Sequence, residues 1–465
     1  MVRDPRAGGP RQSRPVSGRS GSPGRRAPQL AGLPARQVAA AAVSGVLLRG
    51  RALDESFSSA LGSGDADRLE PRDRAFARLL ASTVLRRSGE LQTVVASFLE
   101  KPLSEKHKDV GVVMLIGAAQ LLFLGTPAHA AISLAVEQCR RTPGGLHLDK
   151  LVNAILRRVA TDGPQRLGKL DSARINVPDW MWSRWSRAYG EEAARKIALA
   201  SQTEAALDIS VKDDAAGWAQ RLGGVALPTG SIRVASGGRV EDLPGYSEGA
   251  WWVQDAAAAL PPRLLGDVEG RRVVDLCAAP GGKTARLAAS GANVTAVDIS
   301  SARLARVIEN MKRLRLEADI VAADILTWQP ERPFDAVLLD APCTATGTIR
   351  RHPDIPHLKR EFDVAALAEV QANMLSRAVT FVRPGGLIVF CTCSLEPEEG
   401  VQQIERLLAT HGGLSREPIR ATEFGGSPDW ISAEGDLRTL PFHDPGMSEG
   451  AAGMDGFFAA RLRKA

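Results

Sequence analysis

The sequence predicts a multidomain chain: an all-α N-terminal domain, a small α+β middle module and a C-terminal α/β domain on a doubly wound parallel sheet. Residues 36–165 repeat apolar positions at three-to-four spacing. Residues 166–255 combine one helical run with short alternating ones. From about residue 256, strand-like and helix-like segments alternate regularly.

Residues 1–35 come first and stand apart. They hold seven arginines and one aspartate and are rich in Pro, Gly and Ser, with no hydrophobic period. Such a segment cannot bury enough surface to fold alone and reads as a disordered basic tail. It carries the whole formal charge of +6, since the remaining chain has 52 basic and 52 acidic residues. Any nucleic-acid surface on the folded part is therefore a local patch and not a global excess. A targeting peptide would share the composition, but no amphipathic face is visible.

In residues 36–165, "ARQVAAAAVSGVLLRG", "RDRAFARLLASTVLRR", "PAHAAISLAVEQCRR" and "HLDKLVNAILRRVA" read as helices separated by Gly and Pro breaks. The most apolar stretch, 110–125, has 16 residues including Gln120. That is short of the roughly 18 a membrane span needs, so it predicts a buried core helix. Cys139 falls on one of these helices and is expected in the core. In residues 166–255, "PDWMWSRWSRAYGEEAARKIALAS" predicts a helix, and "ALDISVK" and "GAWWVQD" predict short strands. The tryptophans are expected to pack in the core, with base stacking as the alternative.

In residues 256–465, "RRVVDLCAA", "NVTAVDIS", "ADIVAAD", "FDAVLLDAP" and "GGLIVFCTCS" are continuously apolar runs with helical segments between them. Strands of that kind are buried on both faces. Ligands of such sheets sit beyond the carboxyl ends of the strands, and the polar motifs of this region all lie at such ends.

"DLCAAPGGKT", residues 275–284, extends from the first strand. A Walker loop needs Gly where Cys277 stands, and no G-x-G-x-x-G is present. What remains is a tight turn whose Gly281 and Gly282 let backbone approach a ligand. The helix start behind it favours an anionic group. Asp298 ends the next strand, at a distance that suits ribose hydroxyls. Asp324 ends the third, where a carboxylate can accept from an adenine amino group. The ordered set reads as a pocket for an adenosine joined to an amino acid, which is S-adenosylmethionine.

"DAPCTATGTIRRHPD", residues 340–354, puts Asp340 and Cys343 at the mouth of strand four. Arg350, Arg351, His352, His357, Lys359 and Arg360 crowd the stretch after Cys343. A polyanionic substrate fits that loop, and a solvated loop is the plain alternative. "FCTCS", residues 390–394, places two of only five cysteines one residue apart at the end of strand five. A zinc site wants a second pair of ligands, and a redox pair wants C-x-x-C. A disulfide across so short a stretch of strand would be strained. Thiolate chemistry remains. The odd, sparse cysteine count points to a reduced, cytoplasmic setting.

Taken together, "CAAPGGKT", "DAPCTATGTIRRHPD" and "TCSLEPEE" resemble the RNA cytosine-5 methyltransferase family, and residues 36–165 resemble its NusB-like RNA-binding domain. "WWVQDAAAAL" and "DGFFAARLRK" also fit. The combination is similar to bacterial members that act on 16S ribosomal RNA. The resemblance implies a Rossmann-like class I S-adenosylmethionine-dependent methyltransferase domain over 256–465, with RNA held by 36–165 and 166–255. It implies Cys393 as the nucleophile toward cytosine C6, Asp340 at the base edge, and Cys343 as the thiol that assists release of the adduct. DNA cytosine-5 enzymes use the "PC" cysteine as nucleophile, so this order of roles comes from the family. The implied cofactor contacts are Cys277, Ala278, Ala279, Pro280, Gly281, Gly282, Lys283, Asp298, Asp324 and Asp340. Arg350, Arg351, His352, Lys359 and Arg360 are the candidate RNA contacts.

"PEEG" departs from the more usual "PEEN" at Gly400, and Cys391 has no implied role beyond packing as a small hydrophobe. The expected partner is small-subunit ribosomal RNA, with no metal and no membrane. Oligomeric state is unassigned, with a monomer as the default. The alternatives are the same chemistry on tRNA or another rRNA site, and a non-catalytic RNA-binding or ribosome assembly factor.

Overall fold

The computed structural model describes residues 31–62, 69–235, 238–446 and 453–465. The first 30 residues of the basic tail lie outside that set. Seven helices open the fold: α1 (Leu33–Arg49), α2 (Leu53–Leu61), α3 (Pro71–Arg86), α4 (Ser88–Ala96), α5 (Lys108–Leu122), α6 (Ala128–Arg141) and α7 (Asp149–Leu167). Pro34 sits in the first turn of α1, where its missing N–H costs nothing. The helix begins at Leu33, slightly before the expected boundary, because Leu33 and Ala35 are fully buried. α5 is the apolar 110–125 stretch, and it runs through the middle of this bundle as a core helix. Its buried Gln120 accepts from Arg36 Nε at 2.8 Å and donates to the Ile116 carbonyl at 3.0 Å. Cys139 is in the same core.

The middle region contains α8 (Ser172–Ile175), α9 (Asp179–Tyr189), α10 (Glu191–Ser201), β1 (Leu207–Val211), α11 (Ala215–Arg221), β2 (Val225–Ala226), β3 (Ser231–Val234) and β4 (Trp251–Val253). The four strands form an antiparallel sheet in the order β2-β3-β1-β4. Trp185, Trp251 and Trp252 are buried, and Trp180 and Trp182 pack against the core beside Trp185. The helical tryptophans thus build the interior, as expected. A buried bidentate pair, Arg233 to Asp208 at 2.7 and 2.8 Å, joins β3 to β1. Asp208 also accepts from Ala256 N, which ties this sheet to the start of the next domain.

The C-terminal part contains β5 (Arg272–Leu276), α12 (Gly282–Ala289), β6 (Asn293–Asp298), α13 (Ser301–Leu314), β7 (Asp319–Ala322), β8 (Phe334–Asp340), α14 (Ile355–Leu358), α15 (Glu361–Phe381), β9 (Val382–Thr392), α16 (Val401–Thr410), β10 (Leu414–Arg416), β11 (Leu437–Thr439) and β12 (Phe457–Lys464). The sheet order is β10-β12-β9-β8-β5-β6-β7, with β11 on β12. β5 to β9 are mutually parallel. These are the expected parallel strands, and the sheet extends beyond them at one edge. β12 enters antiparallel beside β9, and β10 and β11 pair antiparallel with β12. "GFFAARL" is an apolar run buried on both faces, and such a run carries no mark of direction. β7 also ends at Ala322, two residues before Asp324, whose carboxylate instead caps a turn by accepting from Leu326 N. No helix among the described residues is long and apolar enough to cross a membrane.

The helical bundle and the C-terminal domain meet at residues 350–358. Leu53 N donates to the buried Asp354 carboxylate at 2.9 Å. Arg86 donates to the Arg350 carbonyl at 2.8 Å, and the His357 ring lies 3.0 Å from the Leu85 carbonyl. Leu358 packs on the bundle core. Asp354→Ala leaves Leu53 N unpaired in a buried joint, a loss of about 1–3 kcal/mol. The expected readout is a lower urea midpoint, and an unchanged midpoint contradicts this view of the joint.

Candidate active site

β8 and β9 run side by side in parallel, and the last pair in register is Asp340 with Cys391. Each strand then breaks into a loop that carries a cysteine. Cys343 lies three residues past the β8 end and Cys393 one past the β9 end. The two Sγ atoms are 3.5 Å apart. Asp340 accepts from Lys283 Nζ at 2.6 Å through Oδ2, and the Cys391 thiol lies 3.5 Å from Oδ1. Cys391 is packed as expected, but it also braces Asp340.

Lys283, Asp340 and Cys393 face one cavity of about 510 Å³. Its walls include Ala278 to Lys283 on one side, and Asp340, Cys393, Arg351 and Phe457 on another. Trp252 and Gln254 line it from the middle region. The turn is bare backbone where it faces the cavity. Gly281 has φ +99°, and a Cβ there would stand 3.1 Å from Val307 Cγ1. A Cβ on Gly282 would stand 3.2 Å from Gln254 Nε2. Both positions therefore hold the loop where a ligand can lie against main chain. Cys277 also has positive φ, 62°, and is half-buried beneath the loop.

Asp298 ends β6 and Asp324 stands two residues past β7, and neither lines this cavity. Asp298 is buried and accepts from Ala279 N, Ser300 N and Arg303. Arg303 is more than half exposed, so that pair opens to solvent on one side.

The electrostatics separate the groups. Burial would lower the Lys283 ammonium, but Asp340 beside it more than compensates and holds it well above the ordinary lysine value. Cys343 is pushed far up by its hydrogen bond to Cys393 and then by burial, so it keeps its proton at neutral pH. Cys391 is raised by burial and by Asp340. Burial likewise raises Cys277. Below the turn, burial pushes Asp275 up to about 7, although Thr284 Oγ1 donates to it at 2.6 Å.

The basic loop is divided. Arg351 lies beside the cavity and donates to Asp455 through Nε at 2.8 Å. Arg350 is only 2% exposed and points inward at the domain joint. His352 is half-buried, and burial lowers its pKa. Lys359 and Arg360 lead into α15, where Arg360 N donates to Asp363 at 2.8 Å. Arg350 is therefore corrected as an RNA contact, because its side chain is buried. Much of the loop is structural, because it docks on the bundle.

Several residues at the site were not singled out from sequence. Glu399 is fully buried beneath both cysteines and accepts from Thr344, Ser394 and Gln371. Arg184 of α9 pairs with Glu396 at 2.6 Å and Glu398 at 2.5 Å, clamping the loop after Cys393. Gly400, the "PEEG" departure, packs against Arg438 and Phe458. A Cβ at Gly400 would stand 2.7 Å from Arg438 Nη2, and Arg438 donates to the Ser394 carbonyl at 2.6 Å. Among the described residues, no group of three or more His, Cys, Asp or Glu is placed to hold a metal ion.

A helical bundle, a small antiparallel sheet and a methyltransferase-type sheet with paired cysteines at its mouth define an RNA methyltransferase. Residues 262–463 match the family model described as 16S rRNA methyltransferase RsmB/F, and residues 33–161 match the NusB family. Ribosomal RNA small subunit methyltransferase B of Salmonella arizonae is 33% identical over 445 residues, covering 92% of this chain and 98% of that protein. The protein of that name from Klebsiella pneumoniae is 33% identical over 449 residues, with the same coverage. The chain belongs to the RsmB/F family of rRNA methyltransferases. Among solved structures, that of PH0851 has TM-score 0.74 at 21% identity, covering 94% of this chain and 99% of that one, a likeness of fold. A methyltransferase homolog from Pyrococcus horikoshii has TM-score 0.51 at 26% identity, covering 61% of this chain and 94% of its own.

An unfolded aspartate titrates near ~3.9. Between there and about 7 the folded chain holds a proton on Asp275 that the unfolded chain has lost. Its contribution to stability is therefore complete at low pH and is lost as pH rises toward 7. Asp455, also pushed up to about 7 by burial, adds to the same slope. Asp275→Asn keeps an acceptor for Thr284 and is expected to flatten part of the decline in thermal midpoint from pH 5 to 8. A profile parallel to the parent contradicts this assignment.

Proposed function

We propose that the chain methylates C5 of a cytosine in 16S ribosomal RNA through a covalent Cys393–C6 adduct. The observation that carries the reading is the 3.5 Å approach of Cys343 to Cys393, which lines a cavity walled by the glycine turn. S-Adenosylmethionine supplies an electrophilic sulfonium methyl when bound. Ala278 to Lys283 would hold it against bare backbone, and contact with Asp298 or Asp324 would need it to extend past the cavity toward the ends of β6 and β7.

The target base must leave its stack to reach the cavity. Asp340 accepts from its amino edge, in an orientation fixed by Lys283 and Cys391. Cys393 adds through sulfur to C6, and the displaced π electrons move toward C5 and N3. The Lys283 ammonium, kept protonated beside Asp340, stabilises the charge at N3. Cys343 keeps its proton and stands 3.5 Å from the Cys393 sulfur, within reach of the nucleophile. After methyl transfer, water takes the C5 proton, the C5–H electrons re-form the C5=C6 bond as the C6–S bond breaks, and Cys343 gives its proton to the departing thiolate. Arg351 at the cavity edge is the member of the basic loop best placed to meet RNA. Residues 36–165 and 166–255 act as the RNA-holding domains, with His352, Lys359 and Arg360 at their junction with the catalytic domain.

Cys393→Ala is expected to abolish methylation, read by bisulfite sequencing of small-subunit rRNA, while S-adenosylmethionine binding persists. Retained methylation would overturn the nucleophile assignment. Cys343→Ala is expected to accumulate a denaturant-resistant RNA-linked band. The same band from Cys393→Ala would mean the two roles are reversed.

A further inference from the structure

Two loops bring the cysteines together, and neither is held by the β-ladder, which ends at Asp340 and Thr392. Gly347 N donates to the Cys393 carbonyl and Leu395 N to Thr346 Oγ1, each at 2.9 Å, and one carboxylate also spans the gap beside the thiols. Glu399 Oε1 accepts from Thr344 N at 2.9 Å, and its Oε2 accepts from Ser394 Oγ at 2.6 Å. Thr344 Oγ1 also donates to Oε2, and Gln371 Nε2 donates to Oε1 at 3.0 Å. The Glu399 carbonyl accepts from Thr392 Oγ1 at 2.8 Å. Thr344 is the residue after Cys343, and Thr392 and Ser394 flank Cys393. Every donor to Glu399 is thus an immediate neighbour of a reacting thiol, save Gln371. Gln371 in turn donates to the Pro342 carbonyl at 2.9 Å, directly before Cys343.

We propose that Glu399 is a positioning residue that sets the separation and mutual orientation of the Cys343 and Cys393 thiols. The inference rests on the two-cysteine mechanism proposed for this site. A carboxylate suits the place because it only accepts, and it presents about four lone-pair sites to donors arriving from two loops. An amide or hydroxyl would confront at least one of these donors with another donor. Burial raises the Glu399 carboxyl, and the bonds from Ser394 and Thr344 oppose that shift. Proton transfer from Cys343 to the departing Cys393 thiolate needs the two sulfurs within hydrogen-bond reach. Displacement by about 1 Å can cost ~10²-fold in rate.

The thiol pair itself supplies a ruler that does not depend on turnover. Diamide takes up two electrons and two protons across its N=N bond to become a hydrazine, and the two thiols join as a disulfide. The sulfurs must close from 3.5 Å to about 2.05 Å. The test uses the full chain below its thermal midpoint, with peptide mass mapping of the Cys343–Cys393 link. Glu399→Ala is expected to slow closure at least ~10-fold and to lower kcat on small-subunit rRNA by ~10²-fold, with the KM for S-adenosylmethionine within about twofold of the parent. Glu399→Gln retains an acceptor for Thr344 N and should recover part of both rates. It also serves as the folded variant if the alanine form does not fold. Closure at the parent rate in either variant overturns the proposal, even if kcat falls. Active Cys393→Ala, by contrast, would remove the two-cysteine mechanism and leave the closure measurement standing.

Discussion

The parallel pairing of β8 with β9 is the constraint on which the site depends. Its register brings Asp340 level with Cys391 and releases the two chains into loops at the same edge. From that edge Asp340 reaches Lys283 on the neighbouring glycine turn, and Cys343 meets Cys393. A slip of one residue would turn each side chain to the opposite face of the sheet. Phe390 would then take the place of Cys391 beside Asp340, and the loop carrying Cys393 would start from the wrong face. The apolar faces on both sides of the sheet, with Val337 and Ile388 in one cluster and Leu338 and Val389 in the other, make such a slip costly.

The ends of the other domains act on this edge in two ways. α9 grips the loop after Cys393 through Arg184 and Trp185, both of which reach Glu396. The bundle grips the loop after Cys343 through Leu53 and Arg86. Each cysteine loop is therefore tied to a different domain. Movement between those domains has a direct mechanical route to the thiol pair.

Much of this was legible in sequence because the signals are local. "APGGK" fixes a turn by its glycines, and strands β5 to β9 declare themselves by short apolar runs rich in Val, Ile and Leu. The cysteine and aspartate positions are set by where those strands stop. What was not legible depends on distant partners. Glu399 looked like one acid in an acidic run, and only folding shows it buried between two loops. Arg350 looked like a basic surface residue, and only the docked bundle turns it inward. The antiparallel entry of β12 was hidden because its apolar run has no direction. Asp324 was placed at a strand end, whereas its carboxylate caps the turn two residues later.

The proposed mechanism turns on one bond, from the sulfur of Cys393, and not of Cys343, to the target base. The most direct measurement uses small-subunit rRNA carrying 5-fluorocytidine, which cannot lose a C5 proton and so holds the adduct. Digestion and mass mapping of the linked peptide locate the bond. The expected result is a nucleotide on the β9-end peptide at Cys393, dependent on S-adenosylmethionine for the added methyl. A nucleotide on Cys343, or no covalent product, would contradict it.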